Sequence, residues 1–100
     1  MKRIPASFEM GSHTYRVIRA PAEDLKRLAG CDVYALYIPD RLAVFVQEKT
    51  KDISESVLLQ AFWHEFSHVL LHCANHKDWR NERVVDSLGH LLKQFHQTVK

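Results

Sequence analysis

The sequence predicts an α+β fold: a small antiparallel sheet built from two hairpins, with helices packed on one face. Three observations predict it. Residues 8–46 hold β-rich runs divided by glycine, proline and aspartate. Residues 52–73 and 80–98 hold two long stretches with helical apolar spacing. A chain of 100 residues has room for one core, so residues 1–100 read as a single domain.

The first hairpin is predicted from Phe8-Glu9-Met10 and Tyr15-Arg16-Val17-Ile18, which flank Gly11-Ser12-His13-Thr14 with Gly-Ser in the turn. A short helix follows over residues 21–30. Pro21 suits its first turn, Glu23 and Asp24 suit its positive end, and Gly30 suits its stop. The second hairpin joins Val33–Ile38 to Leu42–Val46 around Pro39-Asp40-Arg41. Asp52-Ile53-Ser54-Glu55 reads as a capping box, with Asp52 as N-cap of a helix that runs to about Cys73. Asn75-His76-Lys77-Asp78 is a polar connection, and a last helix spans about Arg80 to residue 98. Tyr15, Phe8 and Phe45 are expected in the sheet core, and Trp79 at the entry to the last helix.

Composition excludes several classes. Hydrophobic residues make up 46% and charged residues 26%, as in an ordinary water-soluble domain. The formal charge of +2 is scattered, and Lys49-Thr50-Lys51 is too short for a nucleic-acid stripe, so no nucleic-acid partner is expected. No run approaches the roughly 20 apolar residues of a membrane span. The basic start, Met1-Lys2-Arg3, leads into no apolar leader. Cys31 and Cys73 form no disulfide framework and read as reduced, mostly buried thiols. A cytoplasmic protein is expected.

Of seven histidines, four fall between positions 64 and 76. His64-Glu65-Phe66-Ser67-His68 is an H-E-x-x-H run. On a helix, positions i and i+4 lie one turn apart on nearly the same side, so His64 and His68 can aim two imidazoles at one ion. Glu65 sits on an adjacent part of that side, within reach of a water but not itself a ligand. Leu58, Leu59, Phe62, Trp63, Phe66, Val69 and Leu70 form a separate apolar arc, so core and site do not compete for positions.

A third ligand is needed. The extended pattern H-E-x-x-H-x-x-G-x-x-H fails, because Leu71 stands at the glycine position and Ala74 at the third histidine. The next helix supplies Asn81-Glu82-Arg83-Val84-Val85-Asp86, with Glu82 and Asp86 one turn apart. Glu82 completes a two-histidine, one-carboxylate set that leaves a position open for water. Asp86 can accept the spare N–H of a ligating imidazole. Val84, Val85, Leu88, Leu91, Leu92, Phe95 and Val99 form the apolar arc expected to pack this helix on the core. His72 is a candidate spare ligand or cleft wall. Tyr34, Tyr37, His72 and His90 are candidate stabilisers of a developing oxyanion. His90 has the best claim because it continues the Glu82–Asp86 side.

H-E-x-x-H followed by a helix bearing E-x-x-x-D resembles the gluzincin branch of zinc metallopeptidases. Residues 30–100 are most similar to the minimal gluzincins and to the ImmA/IrrE-like peptidases found among phage and bacterial regulators. That resemblance implies a zincin-like domain with Zn2+ held by His64, His68 and Glu82, and Glu65 as general base. It implies hydrolysis of a protein or peptide substrate, and the edge of the Leu42–Val46 strand could pair with that extended chain. The alternative expectation is a non-catalytic or regulatory zinc protein that acts through a protein partner.

Overall fold

Gly11 and Ser12 both take positive φ, 59° and 70°, the two-residue turn that matches the twist of antiparallel strands. They close the hairpin of β1 (Ser7–Met10) and β2 (His13–Ala20), with Met10 opposite His13 and Phe8 opposite Tyr15. Pro21 then opens α1 (Ala22–Ala29), and Gly30 ends it at φ 80°, its N–H returning to the Lys26 carbonyl. β3 (Ala35–Ile38), a single 3₁₀ turn (Pro39–Arg41) and β4 (Ala43–Gln47) make the second antiparallel hairpin. The computed structural model describes residues 3–100 of this α+β chain. Met1 and Lys2 of the basic start lie outside the described residues.

The two hairpins are antiparallel as expected, but they join through a parallel pair. The sheet order is β1-β2-β4-β3, with Arg16 beside Ala43 and Ala20 beside Gln47. Turn residues fix each hairpin and say nothing of how two hairpins dock. Here α1 carries the chain from β2 to β3, and the second hairpin folds β4 back between β3 and β2, in the same direction as β2. All five residues of β4 are therefore buried, as in a central strand covered on both faces. The expectation of an open edge at Leu42–Val46 is corrected: the free edges are β1 and β3.

The helices also occupy both faces rather than one. Leu25 of α1 packs with Ala20, Ala43 and Phe45. Val44 and Val46 point the other way and meet Leu58 and Phe62 of α2 (Glu55–Cys73). Strand alternation makes these opposite faces.

The cap of α2 is Ser54, whose hydroxyl accepts the Val57 N–H at 3.2 Å; Asp52 lies two residues outside. Glu55 is thus the first helical residue, paired with Arg19 at 3.4 Å. At the other end Asn75 adopts φ 57°, and the His76 N–H returns to the Leu71 carbonyl. That reversal brings the chain back across α2. Asn81 then caps α3 (Glu82–Thr98) by accepting the Arg83 and Val84 N–H groups.

α3 rests mainly on α2, and the expected apolar arc is only half used. Val85 is buried, but Leu91, Phe95 and Val99 are exposed. Leu91 and Phe95 lie on the flank of α3 and Val99 is its C-cap, while Val85 and Gly89 are the buried residues of the helix. Both cysteines are also more open than expected, free and exposed. Cys73 is the last residue of α2, where its Sγ meets the Tyr15 hydroxyl at 3.2 Å. No helix among the described residues is long and apolar enough to cross a membrane.

Tyr15 is 3% exposed and stacks on Phe8. Burial, then the Cys73 contact, pushes its phenol above the ordinary value of 10.0. The neutral phenol is what the fold accommodates. Its contribution is therefore complete below about pH 10 and is lost as pH rises further, because the unfolded chain releases that proton first. An ultraviolet phenolate titration should show Tyr15 ionising only as the circular dichroism signal collapses, and Tyr15→Phe should move that collapse to higher pH. Titration of every tyrosine near the ordinary value in an intact fold would contradict this.

Candidate metal centre

The site is assembled by one helix, one reversal and the first residue of the next helix. α2 presents His64 and His68 on one side, as their spacing requires, with ring centroids 5.2 Å apart. The Asn75 reversal and the Asn81 cap bring Glu82 over them. Glu82 Oε2 lies 2.7 Å from His64 Nε2, and Glu82 Oε1 lies 3.2 Å from His68 Nε2. Asp86, one turn on, stands 3.4 Å from His64 Nδ1. Among the described residues the cluster of possible ligands whose donor atoms all lie within 4.8 Å of one another is His64, Glu65 and His68; the predicted third ligand, Glu82, is not part of it.

The chemistry of the donors tests whether a cation suits them. His68 Nδ1 is 2.6 Å from the Trp79 carbonyl, which can only accept, so Nδ1 carries the proton. The lone pair of His68 is then on Nε2, facing the Glu82 carboxylate. Two acceptors at that distance need a proton or a metal ion between them. His64 is arranged alike, its Nδ1 towards Asp86 and its Nε2 towards Glu82. The donor set fits a divalent ion of the kind held by imidazole and carboxylate.

Glu65 is held differently. Its Oε1 accepts the Tyr37 main-chain N–H at 2.7 Å, while Oε2 lies 3.9 Å from His64 Nε2. The Tyr34 carbonyl is turned towards β4, where it accepts the Gln47 N–H. By strand alternation, the main-chain groups of Ala35 and Tyr37 turn outward. The edge of β3 therefore both fixes Glu65 and borders the site. Burial pushes the Glu65 carboxyl above its ordinary 4.5, opposed by His68, the Tyr37 N–H and His64, and reinforced by Glu82.

No family model, curated protein or solved structure matches this chain. What it can do must be read from its own side chains.

Beside the site is a cleft of about 500 Å³. Val33, Ala35 and Tyr37 form one wall, and Trp79 and Arg80 the other, over Glu65 and the two histidines. His72 stacks on Trp79 with centroids 4.0 Å apart, and the Arg80 guanidinium covers the indole at 4.6 Å. This clamp steadies the residue whose carbonyl orients His68. The Tyr37 hydroxyl pairs with His72 Nδ1 at 2.9 Å. His72 and His90 do not line the cleft. His90 Nε2 stands 3.6 Å from Asp86 Oδ2, beyond Asp86 from the site, and Tyr34 borders a smaller groove on the other side of His64.

The sequence brought together His64, Glu65, His68, Glu82 and Asp86. It did not reveal the Trp79 carbonyl or the Tyr37 N–H, because a main-chain group is the same at every residue. Trp79 two residues before the helix cap was the visible hint.

Proposed function

We propose that this chain is a zinc-dependent peptidase, with His64, His68 and Glu82 as metal ligands and Glu65 as general base. The observation that carries the reading is the meeting of His64 Nε2, His68 Nε2 and the Glu82 carboxylate, with the Glu65 carboxylate set 3.9 Å from His64 Nε2. Bound there, zinc supplies a Lewis acid for a substrate carbonyl and makes water more acidic.

The remaining work falls to the protein. Glu65 Oε2 takes a proton from water and delivers it to the leaving amine, while the Tyr37 N–H keeps Oε1 still. Its raised proton affinity suits that exchange. Asp86 and the Trp79 carbonyl hold the two imidazoles with their Nε2 atoms inward. With the Tyr37 N–H taken by Glu65, the outward main-chain groups of Ala35 and the Tyr37 carbonyl are left for an extended peptide to pair with, which makes polypeptide the substrate class. His90 supports Asp86 in this scheme.

Purified protein is expected to hold one zinc per chain and to cleave an unfolded protein such as reduced casein. Chelation should abolish cleavage and zinc should restore it. Zinc-loaded protein that leaves such substrates intact would sink the reading.

One observation favours a second reading, a non-catalytic zinc protein that works through a partner. α3 is held chiefly by α2, and the cluster ties those two helices together. A metal there would stabilise the fold regardless of catalysis. Chelation would then lower the melting temperature of a protein that hydrolyses nothing.

A further inference from the structure

Val57, Gln60, Ala61 and His64 recur every three or four residues, so α2 sets them along one side. With Tyr34 and Asp86 they line a groove of about 290 Å³ beside the metal cleft. His64 borders both, so the groove opens next to the proposed site. Most of its wall is apolar: Ala61, the side chain of Val57, which is 40% exposed, and the ring of Tyr34, which is 47% exposed. Gln60 is the polar break in that wall. Its Nε2 is shut off from solvent and has no hydrogen-bond partner among the described residues. A buried donor in that state costs free energy. The last torsion of a glutamine is soft, so a small turn of the carboxamide brings its N–H to an acceptor lodged in the groove.

Asp86 is the second polar group of the groove, and it is exposed. Its two oxygens stand 3.4 Å from His64 Nδ1 and 3.6 Å from His90 Nε2. A carboxylate has room for about four donors, so Asp86 can take another. Together the two groups select the occupant: Gln60 needs an acceptor, and Asp86 takes a donor. A carboxylate side chain would satisfy Gln60 but meet Asp86 as a like charge. An ammonium or guanidinium would suit Asp86 but has no acceptor for Gln60. An apolar side chain would leave the Gln60 N–H unpaired and bury it further. A neutral carboxamide holds an acceptor and a donor in one group, and glutamine carries it on an apolar stem.

We propose that this groove binds the side chain of a glutamine residue in a polypeptide. The bound carboxamide accepts the Gln60 N–H and donates to Asp86, and its stem lies against Val57, Ala61 and Tyr34. The proposal rests on the peptidase reading in making that polypeptide the substrate, and it names a preference: a glutamine close to the cleaved bond, because groove and cleft meet at His64.

Binding is measured apart from cleavage, by NMR titration of the full chain carrying Glu65→Gln. The probes are N-acetyl-glutamine methylamide and the matching norleucine, glutamate and lysine compounds, which share its main chain. The glutamine probe should bind tightest, with shifts centred on Tyr34, Val57, Gln60 and Ala61. Adding Gln60→Leu should weaken it roughly threefold to tenfold, as for a lost hydrogen bond, and should leave the norleucine probe no weaker. The same substitution removes a buried unpaired donor, so the melting temperature should hold or rise. A control probe that binds as tightly as glutamine, a glutamine affinity indifferent to Gln60→Leu, or a melting temperature that falls would each overturn the proposal. Casein cleavage with no glutamine preference among the probes would keep the peptidase and discard this site. Tight binding of the glutamine probe by a protein that cleaves nothing would do the reverse.

Discussion

Glu65→Gln is expected to lower hydrolysis by roughly a hundred- to ten-thousand-fold while leaving bound metal unchanged. Glutamine keeps the oxygen that accepts the Tyr37 N–H, so the side chain stays where the glutamate was. The group facing His64 becomes an amide, which cannot take a proton from water. None of the three nitrogen and carboxylate groups that meet at Glu82 is altered. A folding loss is not expected either, since a neutral carboxamide is easier to bury than a carboxylate. The check is kcat beside metal content and circular dichroism on one preparation. Equal activity would remove Glu65 from the mechanism. Loss of metal would make Glu65 a ligand instead of a base.

The site was more legible in the sequence than the sheet that frames it, for a physical reason. Helical periodicity alone puts His64 and His68 on one side, and Glu82 and Asp86 on one side, whatever the rest of the chain does. The two hairpins were readable because their turns need particular residues, Gly11-Ser12 and Pro39-Asp40-Arg41. Their docking was not, since the β2–β4 pairing depends on main-chain groups and on where α1 crosses. That one pairing moved β4 from edge to centre and gave the cleft wall to β3. Apolar spacing likewise marked Leu91, Phe95 and Val99 as a stripe without saying whether anything covers it. The cap shifted from Asp52 to Ser54 because either side chain can satisfy a helix start, and only the entry path of the chain selects one.

Gly89→Val is expected to destabilise the fold and to weaken zinc binding at least about tenfold, about 1.4 kcal/mol. Gly89 lies three residues beyond Asp86 and seven beyond Glu82, so it continues their stripe along α3. It is buried where α3 crosses α2 at His64 itself. A Cβ there would stand 3.0 Å from His64 Cα, 3.1 Å from His64 N and 3.3 Å from Trp63 C. All three are main-chain atoms of a helix packed on the sheet, so none can swing aside. The added carbons can be housed only by moving α3 away from α2. Overpacking of this kind costs about 1–3 kcal/mol, of which better helix propensity than glycine returns a few tenths. The displacement falls on the proposed ligands, because Glu82 rides on α3 and both histidines ride on α2. Val85→Ala supplies the comparison: it loosens the same interface by removing atoms and does not push the helices apart. The two variants should lose similar melting temperature, but only Gly89→Val should lose affinity and alter the visible spectrum of the cobalt-substituted protein. Matching affinity losses in both would mean that Gly89 matters for packing alone, and that the helix spacing does not set the site.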